Sequence, residues 1–101
     1  MDDFIDALVD ELQRTNYNVL LNNCFHKSFE FRKRCRRAGV PARVLIGMGV
    51  QYTSKLHVYY PFFHARGFVD GKEYEVTHTR DYVSPIGTNA HDFVNLAGIW
   101  I

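Results

Sequence analysis

The chain carries almost no surplus of either charge: twelve Lys and Arg stand against eleven Asp and Glu, a formal net charge of +1. A dedicated nucleic-acid binder usually has a large basic excess, so that class is the least expected. Cysteine is scarce as well, with Cys24 and Cys35 only. Eleven residues along one predicted helix separate them by roughly 16 Å, far beyond the Cα separation of about 4.4–6.8 Å that a disulfide spans. Both read as free thiols, which suits a reducing compartment. No apolar run approaches the roughly 20 residues that cross a bilayer. The opening stretch, MDDFIDALVDELQ, is acidic and amphipathic, unlike the basic and then apolar start of a signal peptide. A soluble, cytoplasmic protein without membrane contact is the expectation. His26, His57, His78 and His91 show no HxxxH spacing and the cysteines no CxxC, so neither a metal site nor another cofactor is expected. Repeats, low complexity and linkers are lacking too. One hundred and one residues with 47% hydrophobic content are enough for one core and not for two. We expect a single domain over residues 1–101, and a monomer.

What the sequence does contain is a clear change of period. Phe4, Ile5, Leu8, Val9 and Leu12 recur at helical spacing behind Asp2 and Asp3, where the helix dipole favours anions, and predict a helix over residues 2–14. A second helix is predicted from about Cys24 to Ala38, with Gly39 as its C′ residue and Pro41 just beyond. Cys24, Ser28, Phe31 and Cys35 form its inward stripe, and Arg32, Lys33, Arg34, Arg36 and Arg37 crowd its C-terminal end, a placement the dipole favours. After Pro41 the pattern turns to β. ARVLIGMGVQYT reads as a nearly fully buried strand, and LHVYYPFFHARGFV as a second, interrupted or placed at an edge by Pro61. Asp70-Gly71 predicts a two-residue hairpin loop joining HARGFV to KEYEVT. GIWI closes the chain as a short helix or last strand. Helices followed by strands predict an α+β fold, helices packed on an antiparallel sheet.

Two of these elements can meet in a chemically useful way. The positive end of a helix dipole stabilises a thiolate and makes a thiol a nucleophile near neutrality; Cys24 is placed there and Cys35 is not. Counting outward from the Asp70-Gly71 loop pairs Val69 with Lys72, Phe68 with Glu73, Arg66 with Glu75 and His64 with Thr77. His64, Arg66, Phe68, Glu73, Glu75 and Thr77 then share a face. An imidazole that takes the thiol proton, with a carboxylate or amide fixing the ring, is what thiol catalysis needs. The more common reading of an inward cysteine remains packing, because free Cys behaves as a small hydrophobe. His57 is the alternative base. Tyr59, Tyr60, Phe62 and Phe63 read as core or edge packing, or as the lining of an acyl-group cleft. The basic run reads as a solvated helix face before a phosphate or acidic-protein grip, and Arg43 as an anchor of its turn to a carboxylate.

NNCFHKSFEFRKRCRRAGVPARVLIGMG, residues 22–49, resembles the cysteine-helix segment of the transglutaminase-like superfamily, in which a catalytic Cys opens a helix ending in a Gly-(Ile/Val)-Pro-(Ala)-Arg turn. FFHARGFVDGKEYEV resembles the second block of that family, where His-Ala-Trp begins a hairpin strand. The resemblance covers about half the chain. It implies a papain-like thiol fold with Cys24 as nucleophile and His64 as base. The family's third member, an Asp ending the second hairpin strand, has no direct counterpart. Counting from the turn selects Thr77 or His78, keeping the cross-strand offset from His64 selects Glu75, and Asp81 follows four residues past Thr77. Asp81 stands slightly ahead of Glu75 as the only Asp near the strand end. For the oxyanion, the Cys24 N–H is one donor; an amide of Asn22 or Asn23 is another, although one of the two is needed as the helix cap. The expected function is thioester-forming hydrolysis of a peptide or protein amide, with transfer to an amine possible in principle. The alternatives are a catalytically degenerate domain of this fold that binds protein and, last, a basic-helix nucleic-acid binder.

Overall fold

The first helix, α1 (Asp2–Arg14), is held by its apolar stripe. Ile5, Leu8 and Leu12 are buried against Phe31 and Cys35 of the second helix, α2 (Cys24–Arg37), and against Val40, Val69 and Val76. Each large apolar side chain buried contributes about 1.5–3 kcal/mol. The exposed Asp10–Arg14 pair at 2.9 Å adds at most about 1 kcal/mol, so the stripe, not the charges, docks this helix. The computed structural model describes residues 2–15, 23–80, 82 and 87–101.

Four antiparallel strands follow: β1 (Ala42–Thr53), β2 (Val58–Val69), β3 (Lys72–Tyr74) and β4 (Val94–Trp100), in the order β3-β2-β1-β4. The described residues form an α+β fold, two α-helices with one antiparallel sheet, as the order of periods predicts. α2 ends as its sequence requires. Gly39 takes φ +82, a left-handed conformation that a Cβ would disfavour, and the Val40 N–H closes back on the Cys35 carbonyl at 2.8 Å. Arg36, not Arg43, anchors the turn: its Nε donates to the Ala42 carbonyl at 3.0 Å. Arg43 is exposed, and no carboxylate among the described residues binds it.

Asp70 and Gly71 adopt φ 50 and 79, the paired left-handed geometry of a tight hairpin turn. The register is the one counted from sequence: Val69 opposite Lys72, Phe68 opposite Glu73 and Gly67 opposite Tyr74. β3 nevertheless stops at Tyr74, short of the expected KEYEVT. The chain leaves the ladder there because Val76 enters the core shared with α1, and because the Glu75 carbonyl accepts from Gln13 Nε2 at 2.7 Å. This early exit leaves β2 without a strand on that side from Arg66 back, which is also why Pro61 fits. β2 runs unbroken through it, opposite Val50 of β1, and the missing N–H belongs to a position where only one neighbour is paired. One strand expectation needs correction, and of the two readings of GIWI the last strand holds. β1 is not nearly fully buried but alternates, with Arg43 and Met48 exposed, because α2 covers only part of the sheet. GIWI is the end of a longer strand, β4, paired with β1.

Candidate active site

Cys24 is the first residue of α2, and the local sequence explains why. Asn23 caps the helix: its Oδ1 accepts from the N–H groups of Phe25 at 3.0 Å and His26 at 3.1 Å, while the Asn23 N–H donates to His26 Nδ1 at 3.2 Å. Asn23 therefore spends its side-chain oxygen on the helix. Asn22, the other candidate donor, lies outside the described residues. The stripe that fixes the helix rotation packs as expected, with Cys24, Ser28, Phe31 and Cys35 all buried. Cys24 lies against Val44 of β1 and Ala65 of β2.

The residue before Ala65 is His64. Its Nε2 lies 2.6 Å from Glu75 Oε2, and both side chains are 5% exposed. The Cys24 side chain is near enough to act on the ring's pKa. Phe62 stacks beside the ring at 6.0 Å and Phe93 tilts against it at 5.3 Å. Burial by itself would lower the His64 pKa, but the hydrogen bonds and charges of Cys24 and Glu75 outweigh it and push the pKa up to about 9.

Glu75 is held as firmly as the ring it orients. Burial favours its neutral form, yet the His64 hydrogen bond and the charges of His64 and Arg66 win and hold the carboxyl below its ordinary range. Arg66 Nε donates to Oε2 at 2.8 Å and the Thr77 N–H donates to Oε1 at 3.2 Å. Thr77 thus serves the carboxylate through its backbone, while its Oγ1 is buried and makes no hydrogen bond among the described residues. His78 stacks on Tyr82 at 3.8 Å, and its carbonyl accepts from His91 Nε2 at 2.8 Å. Asp81, set ahead of Glu75 in the sequence reading, lies outside the described residues. Comparison with protein-family models, with curated proteins and with solved structures finds no match.

Three residues of the site carry no obvious sequence motif. Lys27 is wholly buried one turn after Cys24, and its Nζ donates to the carbonyls of Thr15 at 2.8 Å and Thr77 at 2.7 Å. Burial lowers its pKa, and the Glu75 charge opposes that. Lys27 pins the segment carrying Glu75 to the helix carrying Cys24. The only signal for it in the sequence is its spacing of three residues from Cys24, at the edge of the inward stripe. Phe93 comes from the distant turn before β4, and Arg66 sits two residues from His64 on the shared face. The remaining candidates fall elsewhere. His57 is exposed at the β1–β2 turn, bonded to the Tyr52 hydroxyl at 3.2 Å and roughly 20 Å along the strand from His64. Cys35 is buried beside Phe31, where desolvation raises its pKa against the pull of the Arg34 charge. Much of the basic run is engaged within the chain: Arg34 binds Glu11 through both terminal nitrogens, and Arg32 donates to the Ile101 carbonyl at 2.6 Å. Among the described residues no cluster of His, Cys, Asp or Glu forms a metal site, and no helix is long and apolar enough to cross a membrane.

Proposed function

We propose that the chain is a thiol acyl-transfer enzyme that cleaves an amide or peptide bond through a thioester on Cys24. The observation that carries the reading is the buried His64 ring bonded by the Glu75 carboxylate at 2.6 Å, with the Cys24 side chain near enough to raise its pKa. Glu75 fixes the ring and supports its positive charge, the role of the third member of a nucleophile–base–orienter set. The sulfur attacks the carbonyl carbon as its proton passes to His64. The C–S bond forms, the carbonyl electrons move to oxygen, and the Cys24 N–H at the open end of α2 stabilises that oxyanion. The C–N bond then breaks, and the leaving nitrogen takes the proton from His64. Water attacks the thioester, giving its proton to His64; the C–S bond breaks, the carboxylic product leaves and the proton returns to the sulfur. An amine in place of water makes the same step a transfer.

The transglutaminase-like resemblance of the Cys24 and His64 segments leads to the same nucleophile and base, with Glu75 in the orienting role that an Asp has in that family. The protein-binding alternative was motivated by the want of that Asp, and a carboxylate on the imidazole weakens the motive. Two unbridged thiols fit a cytoplasmic setting.

Iodoacetamide alkylation, read by peptide mass spectrometry, tests the reading. Cys24 should react about tenfold or more faster than Cys35 at pH 6–7, and His64→Ala should erase the difference. Equal, slow labelling of both thiols in the unaltered chain would overturn it.

A further inference from the structure

An apolar groove opens beside the thiol on the face of the sheet that carries α2. Residues paired across strands share a face, so Ile46, Ala65 and Ile99 form one row and Met48, Phe63 and Ala97 the next. α2 begins at the first of these rows: Phe25 and Ile46 pack on the buried cluster of Cys24, Val44 and Ala65. Past Ile46 the apolar surface is open, with Met48 51% and Phe63 64% exposed. Ile46, Met48, Phe63, Ala97 and Ile99 line a groove of about 280 Å³, and none of its lining residues is ionisable.

The groove meets the site on the side of the sulfur. Ile46 belongs both to it and to the cluster that packs Cys24. Phe63, next to His64 in β2, takes the opposite face of the sheet from the imidazole. A volume just under the about 300 Å³ lower bound for small-molecule pockets suits one bulky side chain. Its position decides which part of the substrate that chain belongs to. The imidazole, which must meet the leaving nitrogen, is packed by Phe62 and Phe93, whereas the groove adjoins the packing of the sulfur, which keeps the acyl group.

We propose, resting on the thiol acyl-transfer reading, that this groove holds a large aromatic or branched aliphatic side chain on the acyl part of the substrate. Clean apolar lining with no charge to pair makes acidic and basic side chains poor occupants.

The test compares iodoacetamide with N-benzyl-iodoacetamide on the full chain, following alkylation of Cys24 by mass spectrometry. The benzyl reagent should react about tenfold or more faster and saturably, a preference of the size that a filled apolar pocket supplies. Met48→Asp and Phe63→Asp, both at exposed positions, should bring the ratio of the two rates close to one. Leu56→Asp, exposed at the distant β1–β2 turn, should leave the ratio as it is. A ratio near one in the unaltered chain, with Cys24 still far faster than Cys35 towards plain iodoacetamide, would overturn the groove assignment and leave the thiol reading standing. Slow Cys24 labelling by both reagents would overturn both. A preference that disappears as the chain is concentrated, together with a dimer mass by light scattering, would assign the face to a second copy and overturn the substrate proposal.

Discussion

Replacing Glu75 with Gln keeps the size of the side chain and removes its charge, which makes it a direct probe of how the His64 ring is held. The ring bond is 2.6 Å long between two nearly inaccessible side chains. A hydrogen bond to a charged group is worth about 1.5–3 kcal/mol, which at about 1.4 kcal/mol per pKa unit is a shift of about 1–2 units. The His64 pKa of about 9 should therefore fall to about 7–8 in Glu75→Gln. NMR titration of the ring, assigned by its loss in His64→Ala, measures both midpoints. The same shift has a consequence for stability. Because the folded pKa lies above the ordinary 6.5, His64 stabilises the fold fully below pH 6.5, and that contribution is lost as pH rises through about 9. The rise corresponds to ~3 kcal/mol, so urea unfolding of the unaltered chain should weaken across that window, and less so in Glu75→Gln. A His64 midpoint near 6.5 in the unaltered chain, or one unmoved by the substitution, would refute the reasoning.

Lys27→Met fills the same space but leaves the Thr15 and Thr77 carbonyls without their donor; at about 1–3 kcal/mol for each stranded group, urea unfolding should show a loss of about 2–6 kcal/mol, and a change under about 0.5 kcal/mol would contradict the strut role. Gly67→Ala sets a methyl 2.5 Å from the fully buried Phe31 ring, so thermal unfolding should show a cost of about 1–3 kcal/mol, and an unchanged midpoint would contradict that contact. Asn23→Ala removes the acceptor from two first-turn N–H groups and should cost about 1 kcal/mol, whereas Asn23→Gly should cost only a few tenths of that; equal losses would argue against the cap.

The parts of the fold set by local chemistry are legible in the sequence. Asp70-Gly71 demands two left-handed residues, and once that loop is placed, alternation fixes the register of Gly67, Phe68 and Val69 against their partners. The ends of α2 follow from Asn23 and Gly39 in the same way. The extent of β3 is not legible, because it is decided by Val76 joining a core that α1 supplies from the far end of the chain. The third member of the site shows the same limit. Glu75 was one of several candidates because strand alternation names a face but not a reach, and the 2.6 Å bond depends on the chain leaving the ladder after Tyr74. Phe62 and Phe63 carry the clearest lesson in alternation: adjacent and chemically alike, they take opposite faces, one against the imidazole and the other at the rim of an open groove. Lys27 is not part of the Cys24, Ser28, Phe31 and Cys35 stripe, and beyond its spacing from Cys24 nothing local announces its burial or which carbonyls it finds.

The central claim, that Cys24 forms a thioester with His64 as its proton carrier, is tested most directly by a stopped-flow reaction with the p-nitrophenyl ester of phenylacetic acid followed by intact and peptide mass spectrometry. The account predicts a nitrophenolate burst equivalent to one acyl group per chain, a transient adduct on Cys24 alone, and neither in Cys24→Ser or His64→Ala. A chain that gives no burst, or one acylated as readily at Cys35 or at lysines as at Cys24, would contradict it.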